Sequence, residues 1–364
     1  MKQLYFLDLI RGCAALLVVM GHLRSLLFDS WNDEGGGAYL FYAITSFGHQ
    51  AVMVFFVLSG FFVGGSFIND NNFLKYSLKR LSRFYVVLFP ALFLTWIVDS
   101  IGINIIQNIE LYSGNGGNYV INFNSIDRLN LEYFFYNLFY LQDIFYPTFG
   151  TNGALWSLAY EFWFYFLFPL VWYSLYQENN KLKKIISFSL VAIFFSFLQL
   201  KGLVYFCVWM LGVCCHILSS NSILISFFNK SKIFILSNII LIFSLILSVF
   251  IKNYLIDIFV GFSFFIYLLN IICAKIELPL FMNGISLNLA KISFSMYAIH
   301  LPIAVLLCAI LNKKLLFNIE GVLVYVVIII IIIMISWLFW YLFERHNIFI
   351  YKKVYNVLKG RKNG

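Results

Sequence analysis

Charge is what this sequence has least of. Only 11% of its 364 residues are Asp, Glu, Lys or Arg, and proline and histidine each occur five times. A soluble domain carries about 25% charged residues, so a soluble globule is excluded. Also missing are the Walker lysine loop, the Gly-rich dinucleotide fingerprint, the zinc-type His/Glu pattern and the Gly-x-Ser-x-Gly elbow. Any chemistry must therefore use a soluble donor and side chains embedded in the membrane. No RNA- or DNA-binding motif is present, and the formal charge of +9 reads as a topology signal, not as affinity for nucleic acid.

What fills the sequence is hydrocarbon: 62% of residues are hydrophobic, 20% aromatic, and the mean hydropathy is +0.89. Cys13, Cys207, Cys214, Cys215, Cys273 and Cys308 all fall in apolar runs, away from the polar loops where an extracytoplasmic disulfide would form. Cys214, Cys215 and His216 lack the spacing and partner cluster of a zinc site, so no metal is expected.

A bilayer crossing takes about 20 apolar residues. That ruler predicts an all-α integral membrane protein, a single bundle of about ten spans near 5–27, 44–67, 84–106, 154–176, 185–200, 202–218, 233–251, 255–274, 292–311 and 321–343. The fifth and sixth are short and separated only by Lys201 and Gly202. Residues 131–146 are expected at the interface or in a re-entrant segment. The first run holds Arg11 and His22, lacks a small-residue cleavage pattern and is long enough to span, so it is expected to remain as a first helix. Lys and Arg concentrate in alternate segments: Lys75, Lys79, Arg80 and Arg83; Lys181, Lys183 and Lys184; Lys230 and Lys232; and a tail from Arg345 to Lys362. The acidic groups Asp29, Asp33, Glu34 and Glu110 fall between them. With both termini cytoplasmic this satisfies the positive-inside bias. The expected organisation is a membrane domain over 1–345 and a basic cytoplasmic tail over 346–364.

Ionisable residues inside spans are costly, and each is a functional candidate. Asp8, Arg11 and His22 occupy the first span, His49 opens the second, Glu161 is in the fourth and His300 in the ninth. Arg11 and His22 are eleven residues apart; three helical turns take about 10.8 residues, so both share one face, about 16 Å apart along the axis. A carrier with anionic phosphates and a long flexible arm, such as coenzyme A, has that shape. Arg11 would equally serve as a snorkelling anchor, and His22 as a polar contact between helices. Arg80 and Arg83, on adjacent turns of one face, suit phosphate binding as well as topology.

Several segments together resemble the membrane acyltransferase-3 family, bacterial O-acyltransferases that modify surface polysaccharides. LDLIRGCAALLVVMGH resembles its first-helix signature, with Arg and His separated by ten residues. VMVFFVLSGFFVGG, containing Gly60, is similar to its second helix, and KRLSRFYVVLFP to its basic turn into the third. NGALWSLAYEFWFYFLFP is similar to its Trp-Ser-Leu-x-x-Glu segment and SFSMYAIHLP to its Ser-x-x-x-Tyr-x-x-His segment. FERHNIF places His346 where proline is usual, so that end is assigned no role.

The resemblance implies a donor, acetyl-CoA or another short acyl-CoA, and a hydroxyl acceptor on a glycan outside a bacterial cytoplasmic membrane. It implies His22 as general base or acyl relay, with Glu161 or Asp8 orienting the imidazole, and Arg11, Arg80 and Arg83 on the CoA phosphates. His49, His300, Trp156, Ser157 and Tyr297 form a second tier. The alternatives are acylation of a small molecule such as a macrolide or of peptidoglycan, and a transporter for a lipid-linked sugar.

Overall fold

A computed structural model of the chain describes residues 4–29, 36–116, 120–177, 180–228 and 230–360. Asp33, Glu34, Arg361 and Lys362 lie outside the described residues. Among the described residues, nine helical elements are long and apolar enough to cross a bilayer: α1 Tyr5–Leu27, α2 Ala38–Asp70, α3 Phe73–Ile106, α4 Gly153–Leu175, α5 Lys181–Leu218, α6 Ser231–Phe250, α7 Tyr254–Cys273, α8 Leu280–Leu311, and a last one that begins with α9, Ile319–Leu342. After α9 a single 3₁₀ turn leads into α10, Asn347–Gly360, which packs along α3. No strand occurs among the described residues.

The element α5 is two crossings. Its backbone leaves the helical region at Gln199, with φ 57° and ψ −178°. An unbroken helix would separate Phe195 from Phe206 by about 16 Å along its axis, yet their ring centroids are 6.3 Å apart. Trp163 of α4 lies against Phe194 and Phe197 of the first arm, and its neighbour Phe164 against Phe206 of the second. The turn is pinned from the loop before α4, where Gln199 Nε2 donates to the Ile144 carbonyl at 3.0 Å and Lys201 Nζ to Asp143 Oδ2 at 2.5 Å. The predicted pair of short spans is therefore present, with its break at Gln199 instead of at Lys201 and Gly202. Ten crossings place residues 4 and 360 on one face of the bundle, the near face; the opposite one is the far face.

Several helices begin earlier than hydropathy predicts. Lys75, Arg80 and Arg83, expected in a turn before a span at 84, belong to α3 itself, whose start is capped by Asn72 accepting from the Lys75 amide at 2.9 Å. α8 likewise includes Lys291. Hydropathy starts an element where the apolar run starts, whereas each of these helices continues back through the basic residues before it. In the far-face segment before α4, Leu131–Leu138 forms a short helix, and Trp163 Nε1 donates to the Tyr140 carbonyl at 2.9 Å.

That segment is tied down by a polar clamp. Asp99 of α3, 1% exposed, accepts from the Thr151 amide at 2.8 Å and from its hydroxyl at 2.7 Å. Asn152 Nδ2 donates to Thr95 Oγ1 and to the Ala298 carbonyl of α8, at 3.1 and 2.9 Å. Every donor in this clamp has an acceptor, as burial requires.

α1 packs along α8 and across α2. α2 carries a π-helical turn at Gly60–Gly64, and there it meets the second arm of α5 with almost no side-chain spacing. A Cβ on Gly60 would strike the Trp209 carbonyl, and one on Gly212 the Val57 carbonyl. Small residues at such contacts let helix backbones approach in lipid. Gly60→Val or Gly212→Val should therefore cost about 1–3 kcal/mol through overpacking, seen as a lower apparent unfolding temperature in detergent. Gly284→Ala, where an added Cβ meets nothing within 4 Å, should leave it unchanged; equal losses at all three sites would remove the close approach as their cause.

Candidate active site between two cavities

The near-face cavity holds about 100 Å³ and is lined by Arg11 of α1, Arg80 and Arg83 of α3, Glu161 of α4 and Tyr297 of α8. The three arginines singled out by spacing thus meet in one place. Arg11 Nη2 donates to Asp8 Oδ1 at 3.1 Å and to the Ala290 carbonyl at 3.4 Å. The Arg80 guanidinium lies over the Tyr76 and Tyr165 rings at 5.6 and 5.8 Å, and that of Arg83 over Phe294 at 5.3 Å. Nε of Arg11 and of Arg80 is buried without a hydrogen-bond acceptor. Guanidinium donors left without acceptors in a low-dielectric cavity are suited to an anion.

The far-face cavity is larger, about 960 Å³, and is lined by His22, His49, Trp156 and Tyr205 together with several cations. Its lining touches that of the near cavity. Trp156 lines the far one and its neighbour Ser157 the near one. Ser157 Oγ and the Tyr297 hydroxyl are hydrogen-bonded at 2.6 Å, and Phe56 of the near cavity meets the Trp156 ring edge-on at 6.4 Å.

Two imidazoles stand at this boundary. His22 Nδ1 and His300 Nε2 are 2.9 Å apart, with the rings nearly parallel at 5.2 Å between centroids. The far nitrogen of His300, Nδ1, faces the Tyr297 and Met296 carbonyls at 2.8 and 3.1 Å. Carbonyls only accept, so Nδ1 of neutral His300 carries its proton and its Nε2 accepts. His22 must then donate from Nδ1, which leaves its Nε2 with a free lone pair. The bond thus fixes the tautomer of a histidine that lines the far cavity.

The expectation that Glu161 or Asp8 orients His22 is corrected by this geometry. Asp8 pairs with Arg11, fourteen residues or about 21 Å along α1 from His22. Glu161 accepts from the Tyr165 hydroxyl at 2.6 Å, one turn along α4, and faces the near cavity. The partner of His22 is His300, fully buried on α8.

His49 has a carboxylate partner of its own, with Nε2 2.9 Å from Asp257 Oδ1 of α7, and it stacks on Trp156 at 5.9 Å. Both far-cavity histidines neighbour one helix crossing, where a Cβ on Gly21 would meet the Cα of Gly48 at 3.8 Å. Asp257 escaped the sequence reading because it lies among apolar residues at the start of a span; an acid there was the available signal. Glu344, assigned no role from the sequence, is 5% exposed, and its Oε2 accepts from the Ser295 hydroxyl at 2.6 Å and amide at 3.2 Å, tying the end of α9 to α8.

Residues 4–341 match a family model described as an acyltransferase domain. Nodulation protein 10 of Rhizobium leguminosarum bv. viciae is 29% identical over 175 residues, 45% of this chain. The match spans 43% of that protein's length. No solved structure matches. With nearly the whole bundle inside the matched region, including both cavities and the histidine pair between them, the chain belongs to the acyltransferase-3 family of membrane acyltransferases.

Proposed function

We propose that the protein moves an acyl group, acetyl in the simplest case, from cytoplasmic acyl-CoA to a hydroxyl of an extracytoplasmic or lipid-linked glycan in a bacterial cytoplasmic membrane. One observation carries this reading: a cavity rich in arginine, among near-face residues, and a cavity holding a base, among far-face residues, have linings in contact through Phe56 and Trp156. Orientation follows from charge. Lys75, Lys79, Arg80, Arg83, Lys181, Lys183, Lys184, Lys230, Lys232 and Arg345 all lie on the near face, which the positive-inside bias makes cytoplasmic. A near cavity of about 100 Å³ is too small for a nucleotide. The phosphates would stay at its mouth, on Arg11, Arg80 and Arg83, while the pantetheine arm carries the thioester inward.

The reaction then needs a base on the acceptor side. His22 Nε2 removes the proton of the acceptor hydroxyl as its oxygen attacks the thioester carbonyl carbon; the C–S bond breaks, and the proton leaves with the CoA thiolate as thiol. His300 acts through His22, as a positioning residue. Of the Ser157 and Tyr297 hydroxyls, which bond each other at 2.6 Å, the one that accepts in that bond keeps its proton to donate to the carbonyl oxygen as it gains charge.

His22→Ala should lower transfer from labelled acetyl-CoA in membrane vesicles by about 10²–10⁴-fold, the usual contribution of a general base, at matched protein level. Loss of less than about threefold would remove His22 from the chemistry. His300→Asn should lower the rate less and displace the acid limb of the pH–rate profile, which a purely structural role would leave in place.

Arg80→Gln and Arg83→Gln should each raise KM for acetyl-CoA about tenfold while kcat changes little, the pattern of lost ground-state binding. An unchanged KM would detach these cations from the donor. A green fluorescent protein fused after residue 360 should fluoresce, whereas alkaline phosphatase fused there should stay inactive. The reverse would invert the assignment of faces.

A further inference from the structure

The far cavity is charged in a way that the acyl-transfer reading does not require. Six Lys or Arg among the described residues lie on the far face: Arg24, Arg128, Lys201, Lys252, Lys313 and Lys314. Four of them, Arg24, Arg128, Lys201 and Lys252, line this one cavity. Topology does not call for cations on that face, and charges kept only for solubility would be dispersed over its loops.

Among the described residues their counter-charges are few. Asp143 is the acid that lines the cavity, and it is taken by Lys201 at 2.5 Å. Asp257, nearby, is taken by His49. Arg24, Arg128 and Lys252 have no carboxylate partner among the described residues. The two arginines are held by aromatic faces instead: Arg24 over Tyr42 at 5.2 Å and Arg128 over Phe123 at 3.7 Å. A ring positions a guanidinium without neutralising it. Nε of Arg24 is buried with no acceptor, a donor that costs free energy until something accepts from it. Arg24 lines the same cavity as His22, so an anion held there shares that cavity with the base. Trp156 and Tyr205 add ring surface to the same walls.

We propose that the acceptor is an anionic glycan, presenting an oxyanion, a sugar carboxylate or a sugar phosphate, to Arg24, Arg128 and Lys252 while its hydroxyl faces His22. That the ligand is the acceptor rests on the acyl-transfer reading; that the cavity selects an anionic sugar rests on the cations alone.

The test is therefore binding, without acyl donor, to the full chain in phosphatidylcholine nanodiscs. The probes are fluorescein-labelled tetragalacturonate, its carboxyl-reduced counterpart, and glucose 1-phosphate as competitor. Tetragalacturonate should bind at least about tenfold more tightly than the reduced form, with affinity falling as salt rises. Arg24→Gln, Arg128→Gln and Lys252→Gln should each weaken it several-fold, Arg24→Lys should restore part of the loss, and Lys313→Gln should change nothing. Lys252 is exposed, so its substitution tests the idea even where an arginine variant folds poorly. Displacement by glucose 1-phosphate, or binding of it alone, would assign the oxyanion to a phosphate and support the proposal in that form. Equal binding of charged and reduced oligosaccharides, or binding of neither anion, would overturn it. Anion binding with no transfer from any acyl-CoA would instead overturn the acyl-transfer reading and leave this one standing.

Discussion

A cation or imidazole in hydrocarbon must find an acceptor, a ring face or water, because the bilayer core supplies none of them. α1 carries three such groups and meets the requirement three ways. Arg11 is held by Asp8 and by the Ala290 carbonyl, His22 by His300, and Arg24 by the Tyr42 ring. Two of these partners sit on α8 and one on α2, the helices against which α1 packs. With almost no hydrophobic force between helices in lipid, these polar pairings specify which helices surround α1. The site and the packing of the bundle are thus one constraint: remove the polar residues and the core of the bundle loses its address code.

The same constraint bears on the contact between the two cavities. Carrying a phosphate-bearing donor across a bilayer would mean desolvating several charges, at tens of kcal/mol each in the Born limit. In the proposed reaction, holding the phosphates of the donor at one face and bringing only an uncharged thioester to the contact between the two cavities would avoid that cost. That contact is made from groups that need no counter-ion: the hydroxyls of Ser157 and Tyr297 bonded to each other, and the rings of Phe56 and Trp156. Charges are kept to either side of it.

Much of this was legible in the sequence because the background is hydrocarbon, against which an ionisable residue stands out. The helical period placed Arg11 and His22 on one face, and the positions of Arg80 and Arg83 in a basic segment pointed to the same end. The partner of His22 was not legible, since His300 lies 278 residues away and nothing local couples them. The turn within α5 was read two residues late: Lys201 and Gly202 have the composition of a turn, whereas the break sits at Gln199, held by tertiary bonds to Ile144 and Asp143. The four cations of the far cavity come from four separate segments, each with a charge that looks ordinary on its own. Only the fold brings them to one cavity.

The choice of partner for each histidine follows from where water can reach. His49 is open to the far cavity, its side chain 44% exposed, and there a carboxylate partner, Asp257, can share solvation with the bulk. His300 is fully buried, and an acid in its place beside His22 would have to remain ionised in a buried layer where the proposed reaction would develop negative charge on a carbonyl oxygen. A neutral imidazole supplies what the acid would have supplied, an acceptor that fixes the tautomer of His22, without adding like charge next to the forming oxyanion. Its own orientation comes from two backbone carbonyls of α8, each of which has a second lone pair beyond the one the helix ladder uses. The directional chain from carbonyl to His300 to His22 thus carries a proton preference through the membrane interior with no net charge.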